Sequence, residues 1–315
     1  MKILKGKGPF PPRDPKPLLA VGNFDGVHLG HQKVFEETIS GASDLGFSTA
    51  LLTFSGHPLR TLRPVKAPMP VMLPEDRLKI AESFGFQTAY VLDFDPALAS
   101  MSPESFMKEI LLGSIDAAGI VAGVEWRFGR GREGNMTLLG DLGRDLHFKV
   151  IAVDPVVAGG MPVSSTRVRD LLFSGDVAVA AELLGRPHFV RGTVSRGRGL
   201  GKDLGFPTVN LDAGPVLIPG EGIYRGAYVH SDRVGPAAIN IGKSPTFPRG
   251  ASGLEAHLIG WEGDLYGETV TLVFLRRLRS LKAFTDGEAL SRQIALDVEE
   301  TGRLFTSEAV KGVPR

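Results

Sequence analysis

With 315 residues the chain is long for one compact domain, and two domains are predicted. Its 36 basic and 35 acidic residues leave a formal charge of +1, so no overall basic field marks a nucleic-acid binder, and the absence of Cys excludes disulfides and thiol catalysis. Hydrophobic residues make up 43% of the chain but never form an uninterrupted run of membrane length, and the basic N-terminus lacks an apolar leader core, which together predict a cytoplasmic protein.

The first predicted strand is the apolar run 17–21. From Leu29 the apolar positions Leu29, Val34, Phe35 and Ile39 follow a helical period. Strands are predicted at 48–54, 88–92, 119–124 and 148–153, and helices at 75–84, 103–112 (capped by Ser102), 165–173 and 177–184. Such alternation implies a parallel sheet covered on both faces, with ligands beyond the carboxyl ends of its strands.

The densest stretch lies at the first of those ends: Ala20-Val21-Gly22-Asn23-Phe24-Asp25-Gly26-Val27-His28-Leu29-Gly30-His31. Gly22 and Gly26 let backbone approach a ligand, and the N-terminus of the following helix suits an anion, most simply a phosphate. His28 and His31 are three apart, so on one helical turn they share a face and can touch one phosphate chain. A helix cap or a surface histidine is the plain alternative, and H-x-x-H can hold a metal, although a chain without Cys disfavours zinc. Three further strings fall at strand or helix ends: Thr53-Phe54-Ser55-Gly56-His57-Pro58, the stretch from Gly123 through Glu125, Trp126 and Phe128 to Arg132, and Ser164-Ser165-Thr166-Arg167-Val168-Arg169. Taken singly, these read equally well as a turn, core aromatics and a helix cap.

After Leu184-Gly185-Arg186-Pro187 helical periodicity gives way to short strands at 189–194, 222–229, 237–241, 254–259 and 269–274, the pattern of a small antiparallel barrel. One amphipathic helix follows, with Ala289, Ile294, Leu296 and Val298 among its apolar positions, and is expected to pack on that barrel. Between the first two strands, glycines 197, 199, 201 and 205 stand beside Arg196, Arg198 and Lys202 and run into Phe206-Pro207-Thr208-Val209-Asn210. This is not a Walker A loop, since Gly201-Lys202 is followed by Asp203; it reads either as a basic loop that closes over phosphates or as a solvated surface loop. Glu255 is the only carboxylate in the strand Leu254 to Leu258, where Leu254, Ala256 and Leu258 form the alternate set and leave Glu255 on the outward face.

The string 20–31 resembles the HxGH signature of the nucleotidyltransferases, in the GxFDGxHxGH form of prokaryotic FAD synthetases. The three other strings match the TFxPHP, VGxDFRFG and SSTRIR pattern in order. Likewise GxxLGFPTxN, Asn240-Ile241-Gly242-Lys243-Ser244-Pro245-Thr246-Phe247, Leu254-Glu255-Ala256-His257-Leu258 and Gly263-Asp264-Leu265-Tyr266-Gly267 look like riboflavin kinase. Residues 17 to 303 are thus similar to the bifunctional riboflavin kinase/FAD synthetase family. The resemblance implies an α/β chain: a Rossmann-like, parallel-sheet HxGH domain over 1–185 that adenylylates FMN, and a β-barrel domain with a C-terminal helix over 186–315 that phosphorylates riboflavin.

The same resemblance implies that His28 and His31 bind the triphosphate and transition state and that Gly22, Phe24, Asp25 and Gly26 line the ATP site, with Ser165, Thr166 and Arg167 gripping phosphates and His57 helping to orient that chain. In the kinase it implies ATP contacts from Gly199, Gly201, Lys202, Gly205 and Pro207, a magnesium–phosphate site at Thr208 and Asn210, and Glu255 as the base for the riboflavin 5′-hydroxyl. The implied partners are riboflavin, FMN, ATP and Mg²⁺, with no nucleic acid and no membrane. Where the family has other residues, this chain has Ser55, Gly56, Glu125 and Leu281. Those departures keep open a kinase whose first site has drifted; another HxGH nucleotidyltransferase and a flavin-binding regulator without turnover are the remaining alternatives. Products formed from riboflavin, ATP and Mg²⁺ separate all four.

Overall fold

The computed structural model describes residues 1–315 apart from 57–58, 60, 62–64, 66, 197–200, 202–203, 243–252 and 315. By compactness the chain divides into two units, Met1–Ser164 and Ser165–Arg315.

In the first unit six parallel strands stand in the order β1-β4-β3-β2-β5-β6. They are β1 (Lys2–Lys5), β2 (Pro17–Val21), β3 (Ser48–Phe54), β4 (Thr88–Leu92), β5 (Gly119–Gly123) and β6 (Lys149–Val153). The central strand β2 is buried at every residue, as expected of a parallel strand with both faces covered. Helix α1 (Leu29–Leu45) lies over β2, β3, β5 and β6 and buries Val34, Phe35, Thr38 and Ala42; it ends at Gly46, whose left-handed φ of 70° lets its N–H return to Ala42 O. Further along come α2 (Pro74–Ser83), α3 (Pro96–Ser100), α4 (Pro103–Ser105) and α5 (Met136–Asp145).

The predicted elements of this unit are all present, with two changes. The segment expected as an α-helix over 103–112 is capped by Ser102 but passes at Phe106–Ser114 into a π-helix. Its wider turn brings Phe106, Met107, Ile110 and Leu111 together into the core formed with Leu19, Leu52, Tyr90 and Ile120. The helices α3 and α5, the edge strand β1 and the two-residue strands β7 (Val157–Ala158) and β8 (Met161–Pro162) were not predicted; the strands are short and largely exposed, so they carry little hydrophobic periodicity.

The second unit opens with α6 (Ser165–Ser174) and α7 (Val177–Leu184) and continues into a closed barrel. Its strands are β9 (His188–Ser195), β10 (Val209–Asp212), β11 (Gly222–His230), β12 (Arg233–Gly242), β13 (Gly253–Leu258) and β14 (Thr269–Arg279), arranged β10-β13-β12-β11-β14-β9 with antiparallel pairing. Strand β10 was not predicted; it has four residues and begins directly after the loop-like Phe206-Pro207-Thr208 stretch. Helix α7 packs its buried Val177, Ala180, Leu183 and Leu184 against β9 and β14.

The C-terminal helix α8 (Gly287–Arg303) does pack on the barrel, against β11 and β12. Of the apolar positions Ala289, Ile294 and Val298 are half-buried while Leu296 is 59% exposed, and the most buried positions are Asp297 and Thr301. Asp297 binds Arg279 of β14 at 2.7 Å, so a paired charge rather than a leucine marks the buried line.

Candidate active sites

Moving outward from β2, the sheet order runs one way through β3, β4 and β1 and the other way through β5 and β6. The crevice of such a sheet opens where the order reverses, at the carboxyl ends of β2 and β5. Two of the predicted strings emerge there: Gly22 to His31 follows β2, and Gly123 to Arg132 follows β5.

The turn after β2 is held in an uncommon backbone shape. Phe24, Gly26 and Val27 have φ of 52°, 86° and 41°, in the left-handed region that non-glycine residues seldom occupy. Burial holds them there: Phe24 is 2% exposed, tilted on Phe35 at 4.8 Å and edge-on to His31 at 5.3 Å. A side chain at position 22 would meet the Phe24 ring at 3.0 Å, so this approach requires a glycine. The buried Asp25 carboxylate accepts the Val71 N–H at 2.9 and 3.1 Å and the Met72 N–H at 3.4 Å, tying the turn to the chain entering α2.

His28 is the N-cap of α1. The His31 N–H donates to His28 O at 2.8 Å and also reaches His28 Nδ1 at 3.4 Å. The two imidazoles stack, with centroids 3.6 Å apart and planes 18° off parallel, so the shared face expected from their spacing is realised. No acidic residue occupies the first turn of α1 to offset the positive end of its dipole. Phosphate oxygens suit such a place.

Beside it, Trp126 stacks on the buried Phe128 at 4.6 Å, Val124 N–H bonds Val153 O at 3.0 Å, and Glu125 stays exposed. Ser55 and Gly56 leave the end of β3, where Ser55 N–H bonds Leu92 O at 3.0 Å, and His57 lies outside the described residues. Ser165, Thr166 and Arg167 open α6 in the second unit.

In the barrel, Leu254, Ala256 and Leu258 of β13 are buried, and Glu255 and His257 take the other face, as the alternation required. Glu255 stands in register with Asn210 of β10 on one side and Asn240 of β12 on the other, a row of carboxamide, carboxylate and carboxamide. Burial pushes the Glu255 carboxyl above the ordinary glutamate range. Next to it, His257 Nδ1 lies 2.8 Å from Pro207 O and Phe206 sits edge-on to the His257 ring, which anchors the Phe206-Pro207-Thr208 stretch.

Gly201 is drawn onto the same stretch. Phe206 N–H bonds Gly201 O at 2.7 Å, and a side chain at 201 would strike Phe206 O at 2.4 Å and Thr208 Oγ1 at 3.1 Å. Gly205 has φ +85°, which only glycine adopts readily. The barrel thus gathers Gly201, Gly205, Pro207, Thr208, Asn210 and Glu255; Gly199 and Lys202 lie outside the described residues. Leu281 lies over Gly242, where a side chain at 242 would meet Leu281 Cδ1 at 2.8 Å.

Among the described residues no group of three or more His, Asp or Glu could hold a metal, and no helix is long and apolar enough to cross a membrane. Two residues escaped the sequence reading. Asn240 stood in a matching string without a role, and its register with Glu255 shows only once β12 and β13 pair. Arg77 of α2 looks like a surface helix residue in sequence, yet it is 5% exposed and donates to Asn23 and to Phe54 O.

Comparison with known proteins finds two families in this chain, one after the other. The FAD synthetase family matches residues 11–167 and the riboflavin kinase family residues 184–305. The bifunctional riboflavin kinase/FMN adenylyltransferase of Bacillus subtilis is 33% identical over 93% of both chains, and that of Pseudomonas fluorescens 32% identical over 98% of this chain and 99% of its own. A crystal structure from Streptococcus pneumoniae described as a macrolide-efflux protein superposes with a TM-score of 0.86 at 28% identity, covering 97% of this chain and all of its own.

Proposed function

The chain belongs to the bifunctional riboflavin kinase/FMN adenylyltransferase family, and we propose that residues 1–185 adenylylate FMN to FAD while residues 186–315 phosphorylate riboflavin to FMN, both with ATP. The observation that carries this reading is the pairing of two different sites in one chain: stacked histidines at a helix N-terminus, and a carboxylate lifted by burial between two asparagines.

In adenylyl transfer an FMN phosphate oxygen attacks the α-phosphorus of ATP and pyrophosphate leaves. Charge builds on the transferred group and the leaving group, so the site needs aimed donors. His28 and His31 supply two stacked imidazoles, and the N-terminus of α1 adds its dipole. Gly22, Phe24, Asp25 and Gly26 shape the turn that carries both rings. By the family resemblance, Ser165, Thr166 and Arg167 are the residues that would grip phosphates, and His57 would help orient the phosphate chain.

In riboflavin phosphorylation a neutral primary alcohol attacks the γ-phosphorus, and its proton must go to a base. Glu255 is that base, and its raised pKa makes the carboxylate a stronger proton acceptor than an ordinary glutamate. The Thr208 hydroxyl and Asn210 carboxamide are hard oxygen donors drawn to the same wall, and they suit Mg²⁺ shared with phosphates. When bound, the ion neutralises polyphosphate charge. Gly199, Gly201, Lys202, Gly205 and Pro207 form the loop that holds ATP. Riboflavin, FMN and ATP are then the partners of a cytoplasmic enzyme that engages neither nucleic acid nor membrane.

Chromatography of the products from riboflavin, ATP and Mg²⁺ tests the whole reading. FMN followed by FAD is expected. FMN alone would mean that the first site has drifted through Ser55, Gly56 and Glu125, and neither product would overturn both assignments.

A further inference from the structure

We propose that Arg77 is a positioning residue for adenylyl transfer: from inside the first unit it pins the turn that carries His28 and His31 to the end of β3, and so fixes the direction of the backbone groups around the phosphate chain. The inference rests on the reading of those histidines as transition-state binders.

Arg77 lies on α2, one side of which is buried through Asp76, Leu78, Ile80 and Ala81. Its guanidinium donates through one terminal nitrogen to the carbonyl oxygen of Asn23 and, at 3.4 Å, to the Asn23 side-chain oxygen; the other terminal nitrogen donates to Phe54 O at 2.8 Å. Both acceptor residues belong to predicted nucleotide strings. Asn23 is in the Gly22 to Val27 turn, and Phe54 ends β3 directly before Ser55-Gly56-His57.

The tie runs in both directions. While Arg77 reaches from α2 to the turn, Asp25 reaches from the turn to the Val71 and Met72 N–H groups at the approach to α2. Thr53 Oγ1 adds a bond to Asn23 O at 3.4 Å. The turn is therefore clasped to β3 and α2 by one cation and one anion that use backbone partners.

A trans peptide is planar, with its C=O and N–H pointing opposite ways. Drawing Phe54 O onto Arg77 turns the Ser55 N–H the other way, and that N–H does meet Leu92 O at 3.0 Å. By the same geometry, drawing Asn23 O onto Arg77 fixes the direction of the Phe24 N–H, at the start of the turn that ends in His28. The planar fork of an arginine can hold two such carbonyls at once, and an ammonium cannot reproduce that geometry.

A buried cation is costly, and a well-packed apolar residue of similar size would hold a helix on a sheet as well or better. Burial lowers the Arg77 pKa only to about 10, with the Asp25 and Glu75 carboxylates opposing the drop, so the group stays charged at neutral pH. A permanent positive charge bound to the carbonyl of a turn that faces a polyphosphate is consistent with a part in the reaction rather than in folding alone.

The test uses full-length Arg77→Met and Arg77→Lys proteins, each also made in a His31→Ala background, with FMN adenylylation and riboflavin phosphorylation measured on the same preparations. Arg77→Met should lower kcat for FMN adenylylation by about 10- to 100-fold, the scale expected when catalytic groups are misplaced by an ångström or less. KM for ATP should move far less, and riboflavin phosphorylation should stay at the wild-type rate. Arg77→Lys, which keeps the charge but not the fork, should fall between the two. In the His31→Ala background Arg77→Met should cost only a small part of its single-variant effect, because it acts through the same turn.

Wild-type kcat in Arg77→Met would overturn the proposal, as would a rise in KM with kcat unchanged, or a full additional loss on top of His31→Ala. If Arg77→Met does not fold, Arg77→Lys decides by the same kcat and background comparison. Normal FMN adenylylation by His31→Ala alone would instead remove the histidine reading, leaving Arg77 to be judged by the kcat of its single variants.

Discussion

The two sites solve phosphate chemistry with different materials. At the end of β2 the groups are donors: two stacked imidazoles, a helix N-terminus, and a turn whose backbone is held in left-handed shapes by a buried Phe24. On the barrel wall the central group is an acceptor, Glu255, pushed toward protonation by burial and set between two carboxamides. The nucleophiles account for the contrast. A phosphate oxygen of FMN is already anionic at neutral pH, so the first site has charge to stabilise and no proton to remove, whereas the riboflavin hydroxyl must lose one as it attacks.

The sharpest way to break this contrast is to take the acceptor away. Glu255→Gln keeps shape and hydrogen bonding, and riboflavin phosphorylation should fall by about 10²- to 10⁴-fold while FMN adenylylation persists. In the wild type the acid limb of kcat/KM for riboflavin should fall as pH drops through the raised Glu255 pKa, at a midpoint above the ordinary glutamate value of about 4.3, and that limb should vanish in Glu255→Gln. A wild-type phosphorylation rate in the variant would remove Glu255 from the reaction.

Taking a donor away should cost less and fall on the other reaction. Replacement of His28 or His31 by Ala should lower FAD synthesis by about 10²- to 10³-fold, the range seen when one oxyanion donor is deleted, and leave FMN formation from riboflavin intact. Parallel loss of both activities would point to misfolding or to a shared site.

Fragments sharpen the division between the two reactions. All proposed kinase residues lie beyond Arg186, so a fragment of residues 186–315 should phosphorylate riboflavin. It loses α7, however, whose Val177, Ala180, Leu183 and Leu184 are buried on β9 and β14, and it should melt at least about 10 °C below a fragment of residues 165–315. A folded but inactive 186–315 fragment would mean that the kinase site borrows residues from earlier in the chain.

The smallest expected effect is one of stability. A carboxyl whose pKa is raised by folding destabilises the native state above that pKa and ceases to do so as pH falls through it. Glu255→Gln should therefore melt at or slightly above the wild-type temperature at neutral pH, while being far less active. A clear drop in Tm would show that the ionised side chain is held by favourable contacts.

The first site was the more legible in sequence because it is local. A buried run, two glycines, a helix start and two histidines three apart are contiguous, and their stacking follows from chain geometry alone. The barrel site was legible only through its matching strings. Nothing local announces that Asn210, Glu255 and Asn240 share a row, because that depends on the register of β10, β13 and β12. Arg77 escaped for a related reason: its charge suggested solvent, and its burial depends on where two distant strand ends arrive. In the C-terminal helix the apolar positions gave part of the packing, with Ala289, Ile294 and Val298 half-buried; they did not show that the most buried line runs through Asp297 and its partner Arg279 while Leu296 faces outward.

Closure of the barrel bears on behaviour at high concentration. Each of its six strands has a neighbour on both sides, so among the described residues of the second unit no strand is an open sheet edge on which another copy could add. The open sheet of the first unit ends at β1 and β6, and there the sequence places lysines: Lys2 and Lys5 on one margin and Lys149 on the other. Charge at an open margin discourages edge-to-edge growth, so replacing Lys2 and Lys5 with Thr should show in light scattering of concentrated solutions well before it shows in either enzymatic rate.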